Sequence, residues 1–310
     1  MKNEKKIRCN ECKKILRKKL YGPITELNTK KKFDIYYCSF CKFYKTHKVP
    51  KKLDLFYPNT YRNFKGLKEL ALKFLYSLNF VRLNFNKGDI KKIYEIGCGP
   101  CFFLNQFNQK GWKCTGVERD KQYIKKLSKY NKKINFITID KFMKTKKKIE
   151  GKILMWHSLE HIEKPHKFLN YLSKISKINT ELMFAVPNIN SYQLKLFGKY
   201  WIHLDPPRHI NHFNIKTLKI FLEKKSFKVI KNQNFFPALD FMGFVGSITC
   251  YLNTKGLKMP VTVINSNGLF DMIFSIVFTA AIGIVYIPFF FYGIISKSNS
   301  SIFLKAKKVK

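Results

Sequence analysis

Residues Tyr94 to Cys101 (YEIGCGPC) constrain the fold more than any other stretch of the chain. An apolar run ends in two closely spaced glycines, and a helical pattern follows at 101–110. Glycine at 97 and 99 lets the backbone turn sharply and approach a ligand closely, while the amides that open the helix favour an anionic group. From this turn onward, strand-like and helix-like stretches alternate. The patterning predicts strands at 92–97, 113–118, 134–139, 151–157 and 180–186, with helices at 101–110, 122–131 and 165–177. Such alternation implies right-handed crossovers, a parallel sheet covered by helices on both faces, and a ligand at the carboxyl ends of the strands.

A pair of glycines alone is a weak signal, and the acidic strand ends strengthen it. Glu95 lies in the first strand. The second strand ends in Gly116-Val-Glu118, about twenty residues on, where an acid can take both hydroxyls of a ribose. The third ends in Ile139-Asp140, where a carboxylate can accept the exocyclic amine of adenine. The same turn contains Cys98-Gly-Pro-Cys101, identical to a thioredoxin redox motif and set between a strand and a helix as such a motif requires. The redox reading leaves Glu118, Asp140 and the downstream elements without a role, and the customary Trp before the first cysteine is Gly97 here.

These residues resemble the class I S-adenosylmethionine-dependent methyltransferases. Glu95-x-Gly97-x-Gly99 is similar to their first motif, Glu118 to their ribose acid and Asp140 to their adenine acid. Met155-Trp156-His157-Ser-Leu-Glu160-His161 is similar to the fourth-strand motif of the branch that includes quinone-pathway and sugar methyltransferases. Asp205-Pro-Pro-Arg208-His209-Ile-Asn-His212-Phe213 resembles the downstream signature of that branch. The resemblance implies an α/β, Rossmann-like sheet of seven strands, the last two, at 228–235 and 301–308, forming an antiparallel pair. It implies S-adenosylmethionine as cofactor, held by Glu95, Gly97, Gly99, Glu118, Asp140, Trp156 and His157. Cys101 departs from the pattern, since the family usually has a third glycine there.

Methyl transfer from a sulfonium needs the acceptor held near the methyl group and, for a hydroxyl, a base to take its proton. Histidine suits that role near neutral pH. His209 and His212, with Glu160 and His161, are the candidate catalytic residues, and His209 is the first choice as base. The spacing of His157, Glu160 and His161 also suits a divalent metal, against which stands a set of internal hydrogen bonds.

The first 50 residues carry Cys9-x2-Cys12 and, after 25 intervening residues, Cys38-x2-Cys41. Two such knuckles complete a tetrahedral four-thiolate zinc shell, and in so small a segment the metal would supply most of the folding free energy. The sequence around Phe56-Tyr-Pro-Asn-Thr-Tyr61 after this module is familiar from bacterial relatives of the same branch. The expected organisation is a zinc ribbon at 1–50, a helical linker at 51–88, a methyltransferase domain at 89–240 plus 300–310, and an apolar insertion at 241–299.

Leu269 to Ile295 is a 27-residue run with a single charge, Asp271. Its length suffices to cross a bilayer, for which ~20 residues are needed. A single crossing would separate the two paired final strands and place the cationic tail on the far side, against the positive-inside tendency. The expectation is therefore a helix, a bend at Pro288 and a shorter helix that enter one leaflet and return, joined by the apolar stretch at 241–252; burial as a core hairpin is the alternative. No secretory signal opens the chain, so a cytoplasmic enzyme at the inner membrane face is expected, acting on an amphipathic or small-molecule acceptor. The net charge of +41 points to an anionic membrane surface or to nucleic acid. All but six of the 60 basic residues are Lys, a pattern of AT-rich codon usage that weakens the nucleic-acid reading, kept here as a rival in which a zinc ribbon sits on a degenerate methyltransferase scaffold. A soluble small-metabolite methyltransferase is the third reading.

Overall fold

The computed structural model describes residues 7–16, 18–26, 29–57, 66–83, 85, 88–233, 236–257 and 269–310. The segment Pro58 to Tyr61 of the familiar sequence after the cysteine module lies outside them. The chain begins with three strands, β1 (Lys18–Thr25), β2 (Lys32–Tyr37) and β3 (Tyr44–Thr46), followed by helix α1 (Leu67–Arg82). An alternating series follows: β4 (Lys92–Ile96), α2 (Phe102–Gln109), β5 (Lys113–Glu118), α3 (Lys121–Tyr130), β6 (Asn135–Thr138), α4 (Ile139–Lys144), β7 (Lys152–Trp156), α5 (Pro165–Ile175) and β8 (Glu181–Pro187). Then come α6 (Tyr192–Phe197), β9 (Asn211–His212), α7 (Ile215–Glu223), β10 (Phe227–Gln233), α8 (Pro237–Thr254), α9 (Leu269–Ser296) and β11 (Ser301–Lys308).

Contacts divide the chain into two compact units. One contains Pro58–Val186, Leu218–Gln233 and Phe303–Lys310. It is built on the seven-stranded sheet, in the order β10-β11-β8-β7-β4-β5-β6. Strands β4, β5, β6, β7 and β8 pair in parallel, and β10 and β11 are antiparallel. The expected sheet is thus the observed one, last pair included. β7 (KILMW) is buried at every position, as a central strand covered on both faces must be, and its apolar run shows no alternation for that reason. α2 buries Phe102, Phe103, Leu104 and Phe107, and Phe107 stacks edge-on against Phe80 of α1. The order of strands reverses between β4 and β7, which opens a crevice at their carboxyl ends.

The other unit contains Met1–Tyr57, Pro187–Thr217 and Asn234–Ile302. Its sheet, β1-β2-β3-β9, joins the cysteine module to a strand from more than 160 residues downstream, with Tyr44 opposite His212 and Lys45 opposite Asn211. This unit groups the cysteine module with the segment around His209 and with α8 and α9. Long-range strand pairing is the cause, and a local pattern does not encode it. The two helices α8 and α9 pack together through Phe241 on Tyr286 and Phe244 on Tyr286 and Phe289, with ring centroids 5.1–5.2 Å apart. The expected division into two helices at Pro288 does not occur: α9 continues from Leu269 to Ser296 with Pro288 inside it. Proline removes one helical hydrogen bond, and Phe289 and Tyr292 beside it pack on Tyr192. The hairpin exists, but α8 is its other limb.

Candidate active site

The glycine turn sits at the carboxyl end of β4. Gly97 adopts φ +76°, and a Cβ there would lie 2.7 Å from the Cβ of Ser158, whose hydroxyl donates to the Ile96 carbonyl at 2.7 Å. Only glycine satisfies both conditions. Gly99 also has a left-handed φ, +47°, yet a Cβ there would meet nothing within 4 Å, so open space faces the turn. Cys101 occupies the cap position of α2 at φ +62°. That left-handed conformation explains why glycine is usual at this position in the family, and the buried thiol is accommodated by contact with the Gly99 carbonyl at 3.5 Å.

The acids divide by environment. Glu95 is buried; the Leu104 amide donates to its carboxyl group, and its Oε2 has no hydrogen-bond partner among the described residues. Burial, with the neighbouring Glu118 charge adding to it, holds its pKa well above the ordinary carboxylate range. Glu118 ends β5, nearly buried, with Oε1 accepting the Arg119 amide at 2.7 Å. Asp140 is exposed in the first turn of α4, two residues past the end of its strand, because Thr138 caps that helix by accepting the Lys141 amide at 3.2 Å. Trp156 closes β7 edge-on against Phe103 with centroids 5.0 Å apart. His157, next in the chain, has φ +47°, a strained conformation for a side-chain-bearing residue, and its Nδ1 lies 3.4 Å from Oε1 of buried Glu160. Glu160 and His161 form the 3-10 turn that follows.

Cys98 and Cys101 do not have the character of a redox pair. Both are buried, and the hydrogen bond between them, with desolvation, drives the Cys98 thiol pKa upward. A redox nucleophile requires the opposite shift. Sequence reasoning missed the function of Gly116, whose absent side chain leaves room for the Phe136 ring and the Cys98 sulfur, each of which would lie 3.0 Å or less from a Cβ.

His209 and His212 belong to the other unit and occupy different surroundings there. His209 Nδ1 donates to the His203 carbonyl at 2.8 Å, so in the neutral ring the lone pair is on Nε2, 3.8 Å from Asp205 Oδ2. Arg208 Nε holds the same Asp205 at 3.0 Å and its guanidinium also donates to the Phe56 carbonyl. His212 is fully enclosed in β9. Thr46 donates its hydroxyl hydrogen to the His209 carbonyl at 2.6 Å and therefore accepts from His212 Nε2 at 3.1 Å. Burial and the nearby Lys45 charge lower the His212 pKa to about 3.

The four N-terminal cysteines converge, all Sγ atoms lying within 4.8 Å of one another. Cys9 and Cys41 are 3.8 Å apart and Cys12 and Cys38 3.5 Å, well beyond a disulfide bond. A tetrahedral ion with metal–sulfur bonds of ~2.3 Å spaces its ligands by ~3.8 Å, so the set fits zinc. The knuckles share one backbone design. Cys9 donates to the Lys14 carbonyl and Cys38 to that of Phe43, while Lys13 and Lys42, both left-handed, donate back to the first cysteine of each.

The sheet order, the glycine turn and the acidic strand ends together define the class I S-adenosylmethionine-dependent methyltransferase fold. Residues 66–232, more than half of the chain, match the family described as methyltransferase domain, and the chain belongs to that family. No curated protein matches the sequence. Among solved structures, phosphoethanolamine N-methyltransferase 2 of Haemonchus contortus, in complex with S-adenosyl-L-methionine, has a TM-score of 0.53 at 12% identity, covering 86% of this chain and 62% of that one. A chain from the complex of the Haloferax volcanii Trm112 methyltransferase activator with a methyltransferase has 0.51 at 12%, covering 85% and 100%. A methyltransferase from Archaeoglobus fulgidus has 0.46 at 18%, covering 79% and 96%. At these identities the likeness is one of fold.

Proposed function

We propose that the chain transfers a methyl group from S-adenosylmethionine to a hydroxyl of a lipid-linked sugar, glycan precursor or prenylated ring at the cytoplasmic face of a membrane. The observation that carries the cofactor assignment is the glycine turn, with open space over Gly99 and the nearly buried Glu118 at the adjacent strand end. S-adenosylmethionine supplies an electrophilic methyl group when bound. Gly97 and Gly99 admit it to the backbone, Glu118 takes the ribose, and Asp140 and Trp156 contribute to its base. His209 receives the acceptor's proton on Nε2, in the tautomer that its bond to His203 selects. His212 does not share that role, because a ring whose pKa is about 3 is a weak base at neutral pH. The four cysteines hold a structural zinc, which their mutual distances support.

Isothermal titration with S-adenosylmethionine tests the reading. Binding should be micromolar in the wild type and at least tenfold weaker in Glu118→Ala, whereas His209→Ala should bind normally and lose turnover. Salt-sensitive RNA or DNA binding without affinity for S-adenosylmethionine would establish the nucleic-acid reading instead.

A further inference from the structure

We infer that the groove between α6 and the C-terminal part of α9 binds a phosphate carried on a single apolar chain. Tyr192, Lys195 and Leu196 from α6 face Pro288, Phe289 and Tyr292 from α9 across an open space of about 560 Å³. That volume suits one drug-sized or single-chain ligand and is small for the two chains of a bilayer phospholipid. The walls are aromatic. Tyr192 stacks nearly parallel to Phe289 and stands perpendicular to Tyr292. Its hydroxyl is anchored to Asp240 at 2.8 Å.

Charge and continuity select the occupant. Lys195 is the single charged residue of the lining, and it is exposed. A cation at the mouth of an aromatic slot matches an anionic head on an apolar tail. The slot also continues into the exposed apolar surface of α9, including Ile284, Ile287, Phe291 and Ile295, along which a longer chain can run. Tyrosines beside a lysine are the residues favoured at the boundary between lipid and water, where a phosphate head would lie. The inference rests on the membrane-face reading above and narrows its substrate class to isoprenoid-type lipid phosphates.

The full chain in nanodiscs of phosphatidylcholine, titrated with farnesyl phosphate and followed by phosphorus NMR, tests it. Farnesyl phosphate should bind saturably and at least tenfold more tightly than farnesol or inorganic phosphate. Lys195→Gln should weaken it about tenfold, and Leu196→Trp, which fills the slot from an exposed position, should abolish it. Equal affinity for farnesol, indifference to both substitutions, or equal competition by phosphatidylglycerol would overturn the inference. S-adenosylmethionine affinity measured on the same samples separates its failure from that of the methyltransferase reading.

Discussion

His212 shows how a single residue can be conspicuous in the sequence and yet have its role set elsewhere. It stands three residues from His209 in a His-rich signature, and both qualify as bases by type. The structure separates them, since His212 is enclosed beside Thr46 and Lys45 of the cysteine module. Its pKa in the folded chain is about 3, below the ordinary value of 6.5, so folding favours the neutral ring. The stabilisation is complete above pH ~6.5 and is lost as pH falls toward 3, at about 1.4 kcal/mol per pH unit within that window. Between pH 7.5 and 5.5 the wild type should therefore lose about 1.4 kcal/mol more than His212→Gln in urea denaturation. Zinc content measured in the same samples, expected at one ion per chain, separates this loss from acid release of metal. Equal pH dependence in the two proteins would refute the assignment. The glycine turn at 97–99 and the position of Glu118 at the end of β5 were legible because turn glycines and strand-end acids are local signals. The surroundings of His212 were not, because they depend on a strand pairing across more than 160 residues.

At the scale of elements, the alternating series was legible to within two residues at nearly every boundary, whereas the apolar insertion was read with its hairpin in the wrong place. Pro288 suggested a break, and the decisive feature was a polar one inside an apolar pattern. Asp240, in the first turn of α8, is almost wholly buried and accepts the hydroxyls of Tyr192 and Tyr286, each at 2.8 Å, and the Ser300 amide. One carboxyl group thus ties α6, α8, α9 and the approach to β11 together. Gln193 adds a bond to the Asp240 carbonyl at 2.7 Å and accepts from the Trp201 indole at 3.2 Å. Removing the carboxyl leaves two hydroxyls and an amide buried without their acceptor, so Asp240→Ala should destabilise the detergent-solubilised chain by about 3 kcal/mol. Tyr286→Phe, which removes one bond and leaves the acceptor two others, should cost about 1 kcal/mol. Denaturation midpoints for the two variants measure both, and a change under about 0.5 kcal/mol in Asp240→Ala would show that the network is solvated.

For the whole molecule, the antiparallel register of the last strands decides how the insertion meets a membrane. Gln233 lies opposite Phe303, so the chain leaves the sheet before α8 and returns after α9 at neighbouring points. Both ends must therefore be on one side of any bilayer. α9 is long enough to cross, with a 21-residue candidate span at Ile276–Ser296 and a mean hydropathy of 2.0, and much of its surface is exposed, Ile284 at 73% and Ile295 at 81%. α8, at 18 residues, spans ~27 Å, short of a full crossing once its polar C-terminal turn is discounted. On the proposed membrane-face reading, the arrangement that satisfies both constraints is a hairpin entering from one face. That proposal predicts two forces toward lipid, and salt separates them. The net charge of +41 attracts anionic headgroups over a screening length of ~10 Å at 0.1 M salt, which shrinks to ~3 Å at 1 M, while burial of α9 is indifferent to salt of this kind. In flotation with phosphatidylglycerol vesicles, the chain should remain bound at 1 M sodium chloride. Ile284→Glu combined with Ile295→Glu should still bind at 0.1 M and detach at 1 M, because only the electrostatic part survives. Complete release of the wild type at high salt would mean that charge alone holds it, and that the apolar face of α9 is covered by something other than lipid.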